Sequence, residues 1–447
     1  MSNILDIKDK YIELYNKNKS LLPGTNLEWL NKIREDDISQ FKLYGIPNTN
    51  IEEWRSYSYK YLTKNYYSSL LKKDDLNGLS NIKERDLNCS LRIIFSNGKM
   101  IRVDSDEIPT GIKINSLKYF IKNNPGLIKN DIKSVNNYLD PRLSQTLDIR
   151  SQSLVSLNSA LYEDGAVIFV DKNIEVPGYI EIIYLDSMEN NSMYHMRSLV
   201  NLAEGAKCKI IERTINSNNT NKIFFSSKVT NVHLSKSSSL SFVRLIEGNL
   251  DNTHINNLYV EVEEDVTLNN SSFVISKGEA REEIRVRMKG KNSNVNIDGL
   301  ILGNNKSKNE LLTKVSHLNK NSQSNQNIRI VLDEESQGAF QGKIRVDQEA
   351  NNTIASMSGK SLLLDKLSHV YTKPELEILA DDVSCSHGLT VGNIDKEQLF
   401  YLCSRGISKK EAEKILIEAF SKIILENLSN LFKEKVEKVI TEYYEKK

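Results

Sequence analysis

The feature that most limits how this chain can fold is the pattern between about residues 90 and 385. Short runs of alternating apolar and polar residues follow one another there, separated by clusters of Asn, Ser, Gly and Lys. Alternation with a period of two is typical of β-strands that bury one face, and such clusters are typical of turns. The first run, 91–95, precedes an Asn97-Gly98 pair, which is a strong hairpin signal. Further predicted strands include 166–170, 258–262, 283–288 and 328–332.

A succession of strands this long, with few helical segments after about residue 165, predicts a mainly β protein. Little proline and abundant Asn and Ser at the expected corners suit two architectures, a pair of packed sheets or a β-solenoid whose turns stack on one another. No strict repeat period can be read from the sequence, so the pattern alone leaves both architectures open. The solenoid is the interpretation that we favour.

Helical periodicity replaces the strand pattern at both ends of the chain. Apolar residues lie three and four positions apart from residue 1 to about residue 85. The same spacing returns after Asp395, where Asp395 and Ser408 suit helix N-caps and Gly406 suits a helix C-terminus. The sequence therefore predicts three domains: a helical N-terminal domain at 1–88, a β core at 89–385 and a helical C-terminal domain at 386–447.

One face of the predicted C-terminal helices is apolar, with residues at i, i+3, i+4 and i+7 opposite a face of Lys and Glu. Such a face must be covered in the folded protein. It could pack against the β core of the same chain or serve as a docking surface for another subunit, and the sequence leaves both open. Its members are Ala412, Ile415, Leu416, Ala419, Phe420, Ile423 and Ile424.

The composition argues against several classes of protein. The chain has 60 Lys and Arg residues against 59 Asp and Glu residues, a formal charge of +1, which disfavours nucleic acid as a partner. Its four cysteines lack any Cys-x-x-Cys pair, which disfavours zinc ribbons and thioredoxin-like chemistry. No signal-peptide pattern opens the sequence, and no apolar stretch approaches the roughly 20 residues that cross a bilayer. We therefore expect a cytoplasmic protein without a membrane segment.

Two stretches rich in glycine and lysine, 338–343 and 358–361, invite comparison with a nucleotide-binding loop. A phosphate-binding loop needs four residues between its first glycine and the Gly-Lys pair, so that successive backbone amides surround the phosphates. The first stretch has only three such residues, and the second has Ile354 where the leading glycine belongs. We expect no nucleotide on this chain.

The best candidate for chemistry is a Cys-x-His arrangement, Cys385 and His387, near the end of the strand pattern. In an extended backbone the side chains of residues i and i+2 point to the same side, so both can face one site. Thiolate sulfur and imidazole nitrogen are both ligands of iron. Because iron–sulfur clusters normally have four protein ligands, a partner chain would have to complete such a site. The alternative is a small buried cysteine beside a hydrogen-bonded histidine.

The residues around this pair resemble a known protein family. The resemblance covers most of the chain and is strongest over roughly 360–425. Three segments, Thr372–Ile378, Asp381–Gly388 and Thr390–Gly392, closely resemble the SufD signature of the SufB/SufD family of the SUF iron–sulfur cluster assembly system. Two more, Asp395–Leu402 and Ser404–Ile407, resemble the C-terminal helical domain of the same family.

Two sequence motifs of the SufB branch of the same family are missing from this chain. SufB carries a cysteine in a Glu-Gly-Cys-Thr context, whereas the comparable stretch here, Ile211–Asn216, contains no cysteine. SufB also has a Glu-His-Glu-Ala segment, where this chain reads Ser-His-Gly-Leu at 386–389. We therefore expect neither the sulfur-accepting cysteine nor the catalytic glutamate of SufB in this chain.

The resemblance implies a fold and partners. The fold would be a right-handed parallel β-helix core flanked by α-helical N-terminal and C-terminal domains. The chain would form a heterodimer with SufB through the β-helices, in a complex of one SufB, two SufC and one SufD. The C-terminal helices would bind the SufC ATPase in the region of Gln398, Phe400, Tyr401 and Arg405.

The resemblance also implies a role. His387, and with less weight Cys385, would bind a transient nascent iron–sulfur cluster at the SufB–SufD interface. A reduced flavin is a candidate cofactor of the complex. The chain itself would be a non-catalytic scaffold subunit with no activity when isolated.

Two other functions stay open on the sequence. A β-solenoid is also an architecture of carbohydrate-active enzymes, but these need a carboxylate cluster for calcium or a paired acid and base, and no such concentration is visible. A purely structural interaction protein would have the same partners without a role in binding metal.

Overall fold

The structure is a computed structural model that describes most of the 447 residues. The predicted helical segment between 57 and about 85, and the predicted domain limit at residue 88, lie outside the described residues apart from 62, 69 and 70. The described residues are 2–56, 62, 69–70, 89–105, 108–135, 149–186, 192–216, 223–248, 250 and 252–445.

The β region contains twenty strands within the described ranges. They are β1 (Ser69–Leu70), β2 (Cys89–Ser96), β3 (Lys99–Ser105), β4 (Ile112–Ser116), β5 (Ala166–Val170), β6 (Tyr179–Asp186), β7 (Ser192–Leu202), β8 (Lys207–Asn216), β9 (Phe224–Leu234), β10 (Ser239–Gly248), β11 (Asn252–Val262), β12 (Thr267–Ser276), β13 (Glu279–Met288), β14 (Asn294–Gly303), β15 (Lys308–His317), β16 (Gln323–Leu332), β17 (Gln337–Val346), β18 (Thr353–Leu363), β19 (His369–Ile378) and β20 (Val383–Gly392). The five strands predicted above all lie within these bounds.

These strands form a solenoid of two parallel sheets, which confirms one of the two predicted architectures. From β5 onward, successive strands alternate between the sheets, and each pairs in parallel with the strand two places along the chain. Sheet A has the order β19-β17-β15-β13-β11-β9-β7-β5-β4, and sheet B has the order β20-β18-β16-β14-β12-β10-β8-β6-β2-β3. The predicted hairpin at Asn97-Gly98 joins β2 to β3, which pair antiparallel.

One corner of the solenoid shows why no strict repeat is visible in the sequence. Asn292, Asn321 and Asn352 have left-handed backbones there, with φ of 59°, 60° and 58°. The Asn321 side-chain amide donates to the Asn292 side-chain oxygen at 3.3 Å, across 29 residues of sequence. The Asn352 amide donates to Asn321 at 3.0 Å across 31 residues. The turns therefore differ in length, and the repeat appears only once the chain is coiled.

Helices cover the outer faces of both sheets. On sheet B the rings of Phe432 and Tyr179 pack edge to face with centroids 5.3 Å apart. Strand β20 runs past residue 385, and the C-terminal helices begin at Lys396. No helix among the described residues is long and apolar enough to span a membrane. The helices are α1 (Ser2–Asn18), α2 (Glu28–Tyr44), α3 (Leu117–Asn123), α4 (Pro125–Ile128), α5 (Ser153–Leu161), α6 (Lys396–Ser404), α7 (Lys409–Lys422) and α8 (Asn430–Glu445).

The first turns of the solenoid hold a buried group of charged residues, the interior charge cluster: Asp186, Glu212, Lys228, Arg244 and Glu282. The Arg244 guanidinium donates to the carboxylates of Glu212 at 2.7 Å and of Glu282 at 2.8 Å. Burial raises the pKa of Asp186 to about 6 and that of Glu282 to about 7. Because the cluster places opposite charges side by side in the interior, its cations and carboxylates compensate one another there.

Candidate functional site

The last turn of the solenoid is open. Strands β19 and β20 stand at the ends of their sheets, so among the described strands each has a neighbour on one side only. Side chains along β19 are half-buried or exposed, whereas the strands beneath it are mostly buried. The interior of the solenoid is thus accessible from this end, here called the open end.

His387 occupies an interior position of this last turn. In the parallel register, Gln326 of β16 lies beside Met357 of β18, and Met357 lies beside His387 of β20. Gln326 and Met357 are buried in the core, whereas His387 is exposed. His387 is therefore the last member of an interior column of side chains, and it is accessible because no further turn within the described ranges covers it.

Cys385 is the last member of the neighbouring column. It lies beside Ala355, which lies beside Ser324, and its side chain packs partly buried against the core. Burial raises the pKa of the Cys385 thiol. Cys385 and His387 are on the same side of β20, as the alternation of side chains in an extended strand requires.

The floor and walls of the open end are apolar. Met357 lies across the interior against Gly342, where an added Cβ would be 2.4 Å from the Met357 sulfur. On the walls, Val370 and Leu376 of β19 and Leu389 of β20 pack partly buried against the core. These lining residues were not singled out from the sequence, because alternation alone does not show which strands form the last turn.

The described residues contain no group of three or more His, Cys, Asp or Glu side chains close enough to hold a metal ion. At the open end, this chain brings together one imidazole and one thiol on β20. A cluster would need further ligands from elsewhere.

A second exposed surface lies on α6, which has no buried residue. Phe400 is 75% exposed and Tyr401 is 56% exposed. Arg405 lies over the Tyr401 ring, 5.2 Å from its centroid, and donates to the Tyr401 hydroxyl at 3.2 Å. The Asp395 carboxylate caps the helix by accepting from the backbone of Gln398 at 3.2 Å, as the capping pattern predicted. These residues form the α6 surface: Gln398, Phe400, Tyr401 and Arg405.

The predicted apolar face of the C-terminal helices divides into a buried part and an exposed part. Ala412 and Ile424 are fully buried, whereas Ile415 is 43% and Ile423 is 40% exposed. The buried part packs under the solenoid's own sheet B. Ile423 lines a groove of about 520 Å³ that α7 forms with the ends of β18 and β20. One part of the face therefore packs against the chain's own β core, and the other part is exposed in this chain.

The two glycine- and lysine-rich stretches form no loop. Residues 338–343 lie within β17, and 358–361 lie within β18. A phosphate-binding loop requires a turn that leads into a helix. Both stretches are instead extended segments of the solenoid wall.

Comparison with known proteins gives two family matches that together span most of the chain. Residues 5–182 match the SufBD protein N-terminal region, and residues 184–420 match the SufBD core domain of SUF system FeS cluster assembly. The division between the two models falls inside the β region, near β6.

Individual relatives agree with these matches. The iron-sulfur cluster assembly protein SufD of Escherichia coli K12 is 33% identical over 52% of this chain and 55% of its own length. SufD of Bacillus subtilis 168 is 22% identical over 88% of both chains. SufB of the same strain is 24% identical over 59% of this chain and 57% of its own length. The chain thus spans about half of the E. coli protein and most of the B. subtilis SufD. It belongs to the SufBD family of the SUF iron–sulfur cluster assembly system.

Proposed function

We propose that this chain is a non-catalytic scaffold subunit of a SUF complex, acting as its SufD. It pairs through the open end with a SufB-type chain, and it binds a SufC-type ATPase through the α6 surface. The observation that carries this proposal is the column that ends in His387, at a strand edge that no other described strand pairs with. Family membership favours this role over carbohydrate chemistry.

The two free strands differ in how readily they can accept a partner. Strand β20 contains no charged residue and no proline over its ten residues. Strand β19 carries Lys373, Glu375 and Glu377, and Pro374 removes one backbone donor in its middle. Charged side chains and proline disfavour the pairing of a strand edge with another strand. We therefore assign the main contact with the SufB-type chain to β20, which also presents His387.

The iron–sulfur cluster is cargo at this interface. His387 supplies an exposed imidazole nitrogen, and Cys385 lies two residues away on the same side of the strand. The raised pKa of Cys385 favours the thiol over the thiolate that binds iron, which makes His387 the stronger candidate ligand. The SufB-type chain supplies the remaining ligands, and the interface holds the cluster only while both chains are paired.

The α6 surface suits a protein partner. Aromatic and arginine side chains dominate the energetics of protein interfaces, and here Phe400, Tyr401 and Arg405 lie together on one exposed helix. The apolar groove beside α7 continues this surface. A partner that undergoes an ATP-driven movement would act on the solenoid through α6 and α7, close to the free end of β20.

The test of the cluster site is a His387→Ala variant co-expressed with SufB and SufC. We expect the complex to assemble with unchanged subunit ratio by native mass spectrometry, while bound iron and acid-labile sulfide fall at least about tenfold. His369→Ala is the matched control, because His369 is also exposed on the last turn but lies outside the interior columns. Normal iron and sulfide in His387→Ala would overturn the assignment.

The test of the ATPase surface is a Phe400→Asp and Tyr401→Asp double variant. We expect it to lose SufC on co-purification and to retain SufB, because both residues are exposed on α6 and neither belongs to β20, which is assigned the contact with the SufB-type chain. Retention of SufC by this variant would contradict the proposed surface.

A further inference from the structure

A short N-terminal segment makes a set of contacts that the proposed function does not use. Residues 52–56, here called the strap, begin with a single turn of 3-10 helix at Glu52–Trp54. The Trp54 indole is buried, and its nitrogen donates to the Ser151 carbonyl at 3.0 Å. The Arg281 guanidinium lies over the indole ring, 4.1 Å from its centroid. Trp54 therefore anchors the strap to sheet A as well as packing with the N-terminal helices.

The strap crosses four neighbouring strands of sheet A. On β13, Arg281 donates to the Glu53 carbonyl at 2.9 Å. On β15, the Glu310 carboxylate accepts from the Ser56 hydroxyl at 2.8 Å. On β17, Gln341 donates to the same Glu53 carbonyl at 3.2 Å. The strap thus lies across neighbouring strands of sheet A.

The two glutamate side chains of the strap add ion pairs to these contacts. The Glu53 carboxylate accepts from Arg285 of β13 at 2.9 Å and from the ammonium of Lys314 of β15. The Glu52 carboxylate accepts from Lys373 of β19. Lys373 belongs to the last strand of the sheet, so the strap reaches the open end itself.

The contacts of the two strap glutamates are ion pairs, and their side chains are not closely packed against the strands. A cavity of about 340 Å³ lies between the strap and the strands, lined by the lysines and glutamates of β15, β17 and β19. The Glu52 side chain is 60% exposed and that of Lys373 is 29% exposed. Ion pairs with this much access to water are weakened by salt.

We propose that the strap is an ionic clamp that holds β19 against sheet A: Glu53 fixes the strap to β13, β15 and β17, and Glu52 holds β19 through Lys373. Both glutamates are then positioning residues for the wall of the open end opposite β20. A terminal strand has only one neighbour and is prone to fray. The strap supplies a second attachment from the outer face. The role in positioning for a partner rests on the proposed function, whereas the clamp itself does not.

The clamp is tested by hydrogen–deuterium exchange on the full chain without partners. In the Glu52→Gln and Glu53→Gln double variant, we expect the amides of 369–378 to exchange about tenfold faster, while those of 192–202 and 383–392 stay unchanged. Glu204→Gln is the control, because it removes an exposed ion pair with Lys172 at a distant corner. Unchanged exchange in 369–378, or an equal rise in every strand, would overturn the clamp.

Three further measurements keep the test decisive. If the double variant fails to fold, Glu52→Gln alone retains the buried Glu53 contacts, and we expect a selective rise of about threefold in 369–378. In the wild type, raising salt from about 0.05 M to 1 M should produce the same selective rise. Binding to SufB then separates the two claims: an unchanged dissociation constant in a variant with a loosened β19 would overturn the positioning role. Iron and sulfide content in His387→Ala is independent of all three outcomes.

Discussion

The interior of the solenoid carries polar side chains both in its first turns and in its last, and the two sets differ in whether the chain pairs them. In the first turns, Arg244 is 3% exposed and is bonded to Glu212 and Glu282, which are themselves buried. In the last turn, His387 occupies the same kind of inward position and is exposed. Stacked turns cover the first set, whereas no element of the described part of the chain covers the second.

Whether an inward polar residue is covered by a further turn distinguishes structural from functional polar residues in a solenoid. A charge taken out of water is costly unless another group compensates it, so the interior charge cluster is held in place by its own members. An inward residue on the terminal turn has no such requirement, because water or a partner can satisfy it. The first set should therefore control stability, and the second should control binding.

The largest effect is expected for Arg244→Met, which leaves two buried carboxylates without their cation. Breaking a buried ion pair from one side costs about 3–5 kcal/mol, and urea denaturation should show this loss in the free energy of unfolding. Lys207→Met is the control, because its pair with Glu175 is exposed, and the expected loss is within about 0.5 kcal/mol. Equal losses in the two variants would contradict a structural role for the cluster.

A smaller effect is expected from pH. The raised pKa of Asp186, about 6, means that the folded chain holds this proton more tightly than the unfolded chain, whose carboxyl titrates near 4. This contribution to stability is present below pH about 4 and is lost as the pH rises through about 6. Between pH 5 and pH 8, the wild type should lose about 1–2 kcal/mol more than Asp186→Asn in urea denaturation. Parallel pH profiles for the two proteins would argue against a buried, ionising Asp186.

The smallest effect on stability is expected at the open end. His387→Ala should change the free energy of unfolding of the isolated chain by less than about 0.5 kcal/mol, because the side chain is exposed. The same variant is expected to lose bound iron in the complex. A loss of more than about 1 kcal/mol would instead place His387 with the structural set.

Much of this fold could be read from short-range patterns. The hairpin at Asn97-Gly98, strand β5 and the caps at Asp395 and Ser408 were predicted from neighbouring residues, because turns and caps are decided within a few positions. The length of each solenoid turn was not, because turns of unequal length still stack when their corners align.

The apolar face of the C-terminal helices shows what short-range patterns could not predict. Helical periodicity grouped Ala412 with Ile415 and Ile423, yet only the first of these is buried. Periodicity shows which residues share a side of one helix, but the position of the covering sheet decides how wide the buried stripe is. The free part became visible only beside α6 and the end of β20.

The sequence alone predicts that Cys385 and His387 share one side of a strand, because side chains alternate along any extended backbone. It also determined the family, through the segments that surround this pair. The tertiary structure was needed to show that this side is the inner one and that β20 is the last strand of its sheet. That depends on how distant turns stack, and it is why a column of otherwise buried side chains ends in an accessible histidine.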